Sequence, residues 1–186
     1  MTTSFNGTID LEVQAETSLA GHDERRWRRL VPFVLEREKQ EGDWSVTVVL
    51  VEDATLQDLH RRFMGIDEVT DVMTFPFDGD VAGGDIVVSV QRAAEQAASY
   101  DHTPEREIAF LVVHGLLHLC GWDDRDDGQR AAMLARQAEL LMSFDATFSA
   151  LADADEPDCS HRRDPTGDRS GRCREPFIPA RPTATP

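Results

Sequence analysis

His114-Gly115-Leu116-Leu117-His118-Leu119-Cys120-Gly121-Trp122-Asp123-Asp124 is the run on which the fold and chemistry of this chain turn. Two histidines four residues apart, set among leucines, fall on one face of a helix, because side chains at i and i+4 lie one above the other. Both imidazoles can therefore reach a single ion. Gly121 is placed to end that helix: lacking a Cβ, it enters the left-handed conformation cheaply and turns the chain back. The turn lets an acid approach the same point. Asp124 holds the aligned place, with Asp123 and Asp126 as alternatives nearby. Two imidazoles and a carboxylate are a donor set that zinc accepts, with a fourth position left for water. The plainer use of the same residues is a pair of core histidines beside a solvated acidic face.

The spacing H-x3-H-x2-G-x2-D is that of the extended zincin helix with a carboxylate in the third-ligand place. A zinc protease of that kind carries Glu directly after the first His as general base, and this chain has Gly115 there. Peptide hydrolysis is thereby disfavoured. A residue without a side chain at 115 either lets a strand or substrate backbone approach the ion or serves close helix packing. Cys120 falls on the other side of the helix and reads as a small core residue.

Working outward, Thr103-Pro104-Glu105 supplies an N-cap, a proline at the first helical position and an acid in the first turn. A helix is predicted from there to about Cys120, and another from about Asp127 to Phe144, through Met133, Leu134, Leu140 and Leu141. Upstream, Ile9, Leu11 and Val13 alternate as a strand with one buried face, while Trp44 to Val51 is nearly all apolar and reads as a strand covered on both sides. Between them, Trp27, Leu30, Val31, Val34 and Leu35 recur at helical spacing, with Pro32 predicted to kink that helix or to start a second one. A helix follows Glu52-Asp53. Asp71 to Phe75 is a strand that Pro76 ends or places at an edge. Gly79 to Gly84 is turn chemistry, Asp85 to Val90 a strand, and Gln91 to Tyr100 a helix. The order β-α-β-α-β-β-α-α-α predicts an α+β fold: one domain, residues 1–152, with a small mixed sheet of about four strands packed with about five helices.

The remainder, residues 153–186, is rich in Pro, Arg and Asp, with Phe177 and Ile178 as its bulky apolar side chains. Such a segment cannot bury enough surface to offset its ordering entropy and reads as a disordered tail. Its acids and arginines nearly cancel. The formal charge of −16, from 35 acids against 19 Lys and Arg in 186 residues, therefore belongs almost wholly to the domain. That charge repels polyanions at long range and argues against a nucleic-acid partner. Neither a signal peptide nor a run long enough to span a membrane is visible. With three cysteines at irregular spacing, a reduced, cytoplasmic setting is expected.

The run at 114–124, the block Thr70-Asp71-Val72-Met73-Thr74-Phe75-Pro76 and the triplet Gly84-Asp85-Ile86 together resemble the bacterial YbeY-type endoribonuclease family of rRNA maturation factors, whose blocks read TDVLSFP and GDI. The likeness covers about residues 7–145. It implies a zinc-dependent single-strand endoribonuclease, one Zn2+ per chain, acting in maturation of the small-subunit rRNA 3′ end and in ribosome quality control. It also implies the small ribosomal subunit, a ribosomal protein and an assembly GTPase as partners, and no membrane. His114 and His118 match the first two zinc ligands and are the expected catalytic pair. Asp124 stands where the family has a third His, which should lower the Lewis acidity of the ion somewhat.

A second departure lies ahead of the TDVMTFP block. His60 takes the family's Asn place and Met64 its Arg place, so a guanidinium able to clamp phosphate is missing there. Arg61 or Arg62 is the expected substitute as RNA contact, and the group Arg25, Arg26, Arg28 and Arg29 is a second basic strip. Asp71 and Asp85 are candidates for orienting water or a ligand histidine from outside the ligand set. The alternative function is a metal-stabilised ribosome-assembly factor that binds without cutting.

Overall fold

The computed structural model describes residues 5–16 and 24–154. Nine elements follow one another in the predicted order: β1 (Ile9–Ala15), α1 (Glu24–Arg37), β2 (Trp44–Val51), α2 (Asp53–Met64), β3 (Val72–Pro76), β4 (Ala82–Ser89), α3 (Val90–Ser99), α4 (Pro104–Leu119) and α5 (Asp127–Ala154). Their sheet has the spatial order β1-β2-β4-β3. β1, β2 and β4 run parallel, and β3 returns antiparallel along β4, pairing Val72 with Val88 and Pro76 with Gly84. The α+β fold with a four-stranded mixed sheet and five helices is thus as expected. Pro76 closes an edge strand, where its missing N–H costs no ladder bond.

The main core lies between one face of the sheet and helices α1, α4 and α5, built from side chains such as Leu30, Leu35, Val48, Ile86, Leu116 and Leu140, all 0–1 % exposed. α2 covers the other face through a smaller cluster of Leu56, Val51, Met73 and Val87. Among the described residues no helix is long and apolar enough to cross a membrane.

Three boundaries differ from the sequence expectation. α1 runs through Pro32 as one helix. Burial of Trp27, Leu30, Val31, Val34 and Leu35 along one stripe offsets the hydrogen bond that proline removes. β4 begins at Ala82, within the stretch read as a turn, because Gly83 and Gly84 are there for closeness. A Cβ on Gly83 (φ +130°) would stand 1.8 Å from the Ser45 carbonyl oxygen, and one on Gly84 would stand 2.4 Å from that of Phe75. α5 continues past Phe144 to Ala154, held by Phe148 stacking on Phe144 and by Asp145, which pairs with Arg26 and Arg106. Beyond the two residues of α5 that it shares, the predicted tail lies outside the described residues.

Candidate metal centre

The last turn of α4 builds the site. Thr103 caps the helix start, its hydroxyl accepting from the Arg106 amide at 3.3 Å. At the other end Gly121 adopts φ +92°, its N–H donating to the His118 carbonyl (2.9 Å) while that of Trp122 donates to Leu117 (3.0 Å). This is the Schellman closure, and it swings residues 122–124 back across the face that carries the histidines.

The ligand atoms of His114, His118 and Asp124 consequently lie within 4.8 Å of one another. The two Nε2 atoms are 3.1 Å apart, and the Asp124 carboxylate oxygens stand 3.8 Å from His114 Nε2 and 3.9 Å from His118 Nε2. Both Nδ1 atoms are committed elsewhere. His118 Nδ1 donates to the Trp122 carbonyl at 3.0 Å. His114 Nδ1 faces the side-chain oxygen of Gln137 at 3.3 Å, and the Gln137 amide nitrogen donates to the Phe110 carbonyl at 2.7 Å, which fixes which end of the amide faces the ring. With both protons on Nδ1, two Nε2 lone pairs oppose each other beside a carboxylate. A metal ion, or a proton shared between the two rings, relieves that arrangement. Two nitrogens on one tetrahedral zinc stand about 3.3–3.4 Å apart given Zn–N bonds of about 2.0–2.1 Å, so the donors present fit the ion.

Burial, and then the neighbouring His118, holds the His114 imidazole below its ordinary pKa, against the opposing pull of Gln137, Asp124 and Asp71. The neutral form is the one that ligates. The other acids of the run have separate tasks. Asp123 accepts from the amides of Asp124 (2.8 Å) and Arg125 (3.2 Å), shaping the turn, and Asp126 caps α5 by accepting from the Gln129 amide (2.8 Å). Asp124 is the acid that meets the histidines.

Gly115 is a packing glycine: a Cβ there would come within 2.7 Å of Ile86 Cγ2 and 3.0 Å of Thr74 Oγ1. The helix lies so close on the sheet that the protease Glu has no room. Cys120 packs against the core, and burial pushes its thiol up to about 12, away from ligand chemistry.

A cleft of about 570 Å3 opens over the three residues, lined also by His60, Met64, Thr70, Thr74 and Arg125. The other residues expected at the site stand apart from the His114, His118 and Asp124 cluster. Asp85 alternates with Ile86, the residue that faces Gly115, and so sits on the α2 side of the sheet. Arg61 and Arg62 are absent from the lining; they project from the end of α2, both paired with Asp58. Asp71 bonds the Val72 amide and Gln96, pinning the start of β3 to α3, and touches neither histidine. Of the strip on α1, Arg26 is engaged by Asp145 and Arg29 lies over the Phe148 ring, and none of the four lines the cleft.

Sequence reading missed Gln137, Arg125 and Glu38. Glu38 accepts from the Trp122 indole and from Arg136, both at 2.8 Å, and so ties the loop after α4 to the end of α1 and to α5. Arg125 is the cation at the cleft mouth. Its position one residue past Asp124 was the available signal.

A family model described as endoribonuclease YbeY matches residues 11–145, nearly the whole described domain. The chain belongs to the YbeY family. An endoribonuclease YbeY of Gloeobacter violaceus is 39 % identical over 135 residues, 67 % of this chain and 70 % of the relative. That of Lysinibacillus sphaericus is 35 % identical over 150 residues, covering 74 % and 95 %. A solution structure of a Thermotoga maritima protein superposes with a TM-score of 0.56 at 29 % identity, covering 82 % of this chain and 99 % of that one. The curated relatives are named endoribonucleases, and this chain is an enzyme of that nuclease family.

Proposed function

We propose that this YbeY-family enzyme is a zinc-dependent, single-strand endoribonuclease of rRNA maturation and ribosome quality control, working in the cytoplasm on the small ribosomal subunit with help from a ribosomal protein and an assembly GTPase. One observation carries the site: the convergence of the Nε2 atoms of His114 and His118, 3.1 Å apart, with the Asp124 carboxylate beside them.

Bound zinc would supply Lewis-acid polarisation of a phosphate oxygen and a lowered pKa for water. The chain's own residues do the rest. Gln137 and the Trp122 carbonyl hold the two imidazoles in the ligating tautomer. Asp124 brings the negative charge that a cation needs, and Arg125 at the mouth contacts the phosphate backbone. A cavity of about 570 Å3 is large enough to admit a nucleotide unit.

Purified protein loaded with zinc should cut a single-stranded rRNA fragment, and His114→Ala and Asp124→Ala should each abolish cutting. Undiminished activity in His114→Ala would overturn the reading. Met64, at the family's Arg place, and the charge of −16 favour a second reading, an assembly factor that binds without cutting. Wild-type protein that associates with pre-ribosomes yet leaves every RNA intact would establish it.

A further inference from the structure

Behind the metal cleft, on the far side of His114, lies a second cavity of about 650 Å3 between the end of α3, α4, α5 and the start of β3. Its mouth is apolar and exposed: Tyr100 is 71 % accessible, Met142 68 % and Leu134 42 %. Tyr100 and His102 present nearly parallel rings, 9° apart in plane with centroids at 6.1 Å. At its wall is Glu107, a carboxylate only 3 % exposed, whose Oε2 meets His102 Nε2 at 3.1 Å. The other charged lining groups are engaged: Asp71 by Gln96 and the Val72 amide, Arg106 by Asp145.

We propose that this cavity receives one unstacked nucleobase of the RNA, adjacent to the phosphate held at the metal cleft, and prefers a base carrying an exocyclic amino group. The inference rests on the endoribonuclease reading and names a substrate subsite for it. His114 lines both cavities, so a strand whose phosphate sits on one side of that imidazole has a neighbouring base within reach of the other. The chemistry of the lining selects the base over the backbone. Two carboxylates, Glu107 and Asp71, repel phosphate, whereas an apolar slot beside an exposed aromatic face is what an unstacked base requires. Exposed apolar side chains gathered at one mouth mark a surface that awaits a partner. A volume of this size belongs to the range of small-ligand pockets. Glu107, as a carboxylate, accepts hydrogen bonds and donates none. Adenine, cytosine and guanine offer amino N–H groups to it; uracil presents carbonyls on both sides of its one imide N–H and is disfavoured.

Tyr100 is the one tyrosine of the chain, so protein labelled with 3-fluorotyrosine gives a single fluorine resonance at the cavity mouth. AMP, CMP and GMP should shift it at concentrations about tenfold lower than UMP. Glu107→Gln, which can also donate to a carbonyl, should shrink that preference to about twofold or less. Met142→Glu, at an exposed position, should weaken all four by about fivefold or more. A resonance that no nucleotide moves, or a preference unchanged in Glu107→Gln, overturns the proposal. Zinc-dependent cleavage of a single-stranded RNA, followed on the same preparations, separates the two readings. Cutting beside an unresponsive Tyr100 overturns the base site and leaves the nuclease. Base-selective shifts without cutting support the site and overturn the nuclease.

Discussion

Gln137 shapes the metal centre through one carbonyl oxygen, on His114 Nδ1, without itself reaching the ligand cluster. Gln137→Leu keeps the volume but releases that ring, and zinc affinity should fall about 10- to 100-fold with the fold intact, as losses of groups that orient ligands do. Competition with a chromogenic chelator measures it; unchanged affinity would remove Gln137 from the site. His114 also makes a pH prediction. Its folded pKa is lowered from 6.5, chiefly by burial. Below 6.5 the unfolded chain takes up a proton that the folded chain refuses, so the metal-free protein loses stability as pH falls from 6.5 to the folded value and no further below it. Urea midpoints from pH about 8 to about 5 should show this loss in wild type and its absence in His114→Gln. Parallel curves would refute it. The histidine pair was legible in the sequence because i and i+4 suffice to align two rings. Gln137 was not, since a buried polar residue between Met133 and Leu140 has no visible target until α5 is laid on α4.

Among the elements, α4 and the β3–β4 pair form the working unit, joined where Gly115 lets the helix lie against Ile86 and Thr74. Gly115→Ala forces that contact open and should destabilise the fold by about 1–3 kcal/mol, read by denaturant unfolding. A neutral result would mean that the helix can lift off without cost. All nine elements were legible from period and caps, because each carries its own local signal. What misled was glycine. Gly83 and Gly84 look like a turn, and only the parallel neighbour β2 and the returning β3 show that they are thin places in a strand. The same dependence on neighbours hid the facing of Asp85 toward α2 and the unbroken course of α1 through Pro32.

For the whole molecule, the charge of −16 is the main obstacle to RNA binding. Among the described residues Arg125 is the only arginine lining the metal cleft, and its guanidinium is shared with Asp123 at 3.2 Å. Affinity for single-stranded RNA should therefore depend weakly on salt, and Arg125→Ala should reduce the slope of log K against log salt by about 0.7, the value of one phosphate contact on a single strand. Binding measured across a salt series tests this; a steep slope that survives the substitution would place the phosphate contacts elsewhere. The compactness of the metal centre has its own consequence. All three ligand residues fall within one short stretch of chain, His114 to Asp124, so closing the loop between them costs little entropy even when the sheet is unmade. The denatured chain then keeps part of its hold on the ion, and saturating zinc should raise the melting temperature by less than its affinity for the native protein alone would give. Such a centre would act as a local clasp able to load before the sheet is complete, and its occupancy would then report poorly on whether the rest of the molecule is intact.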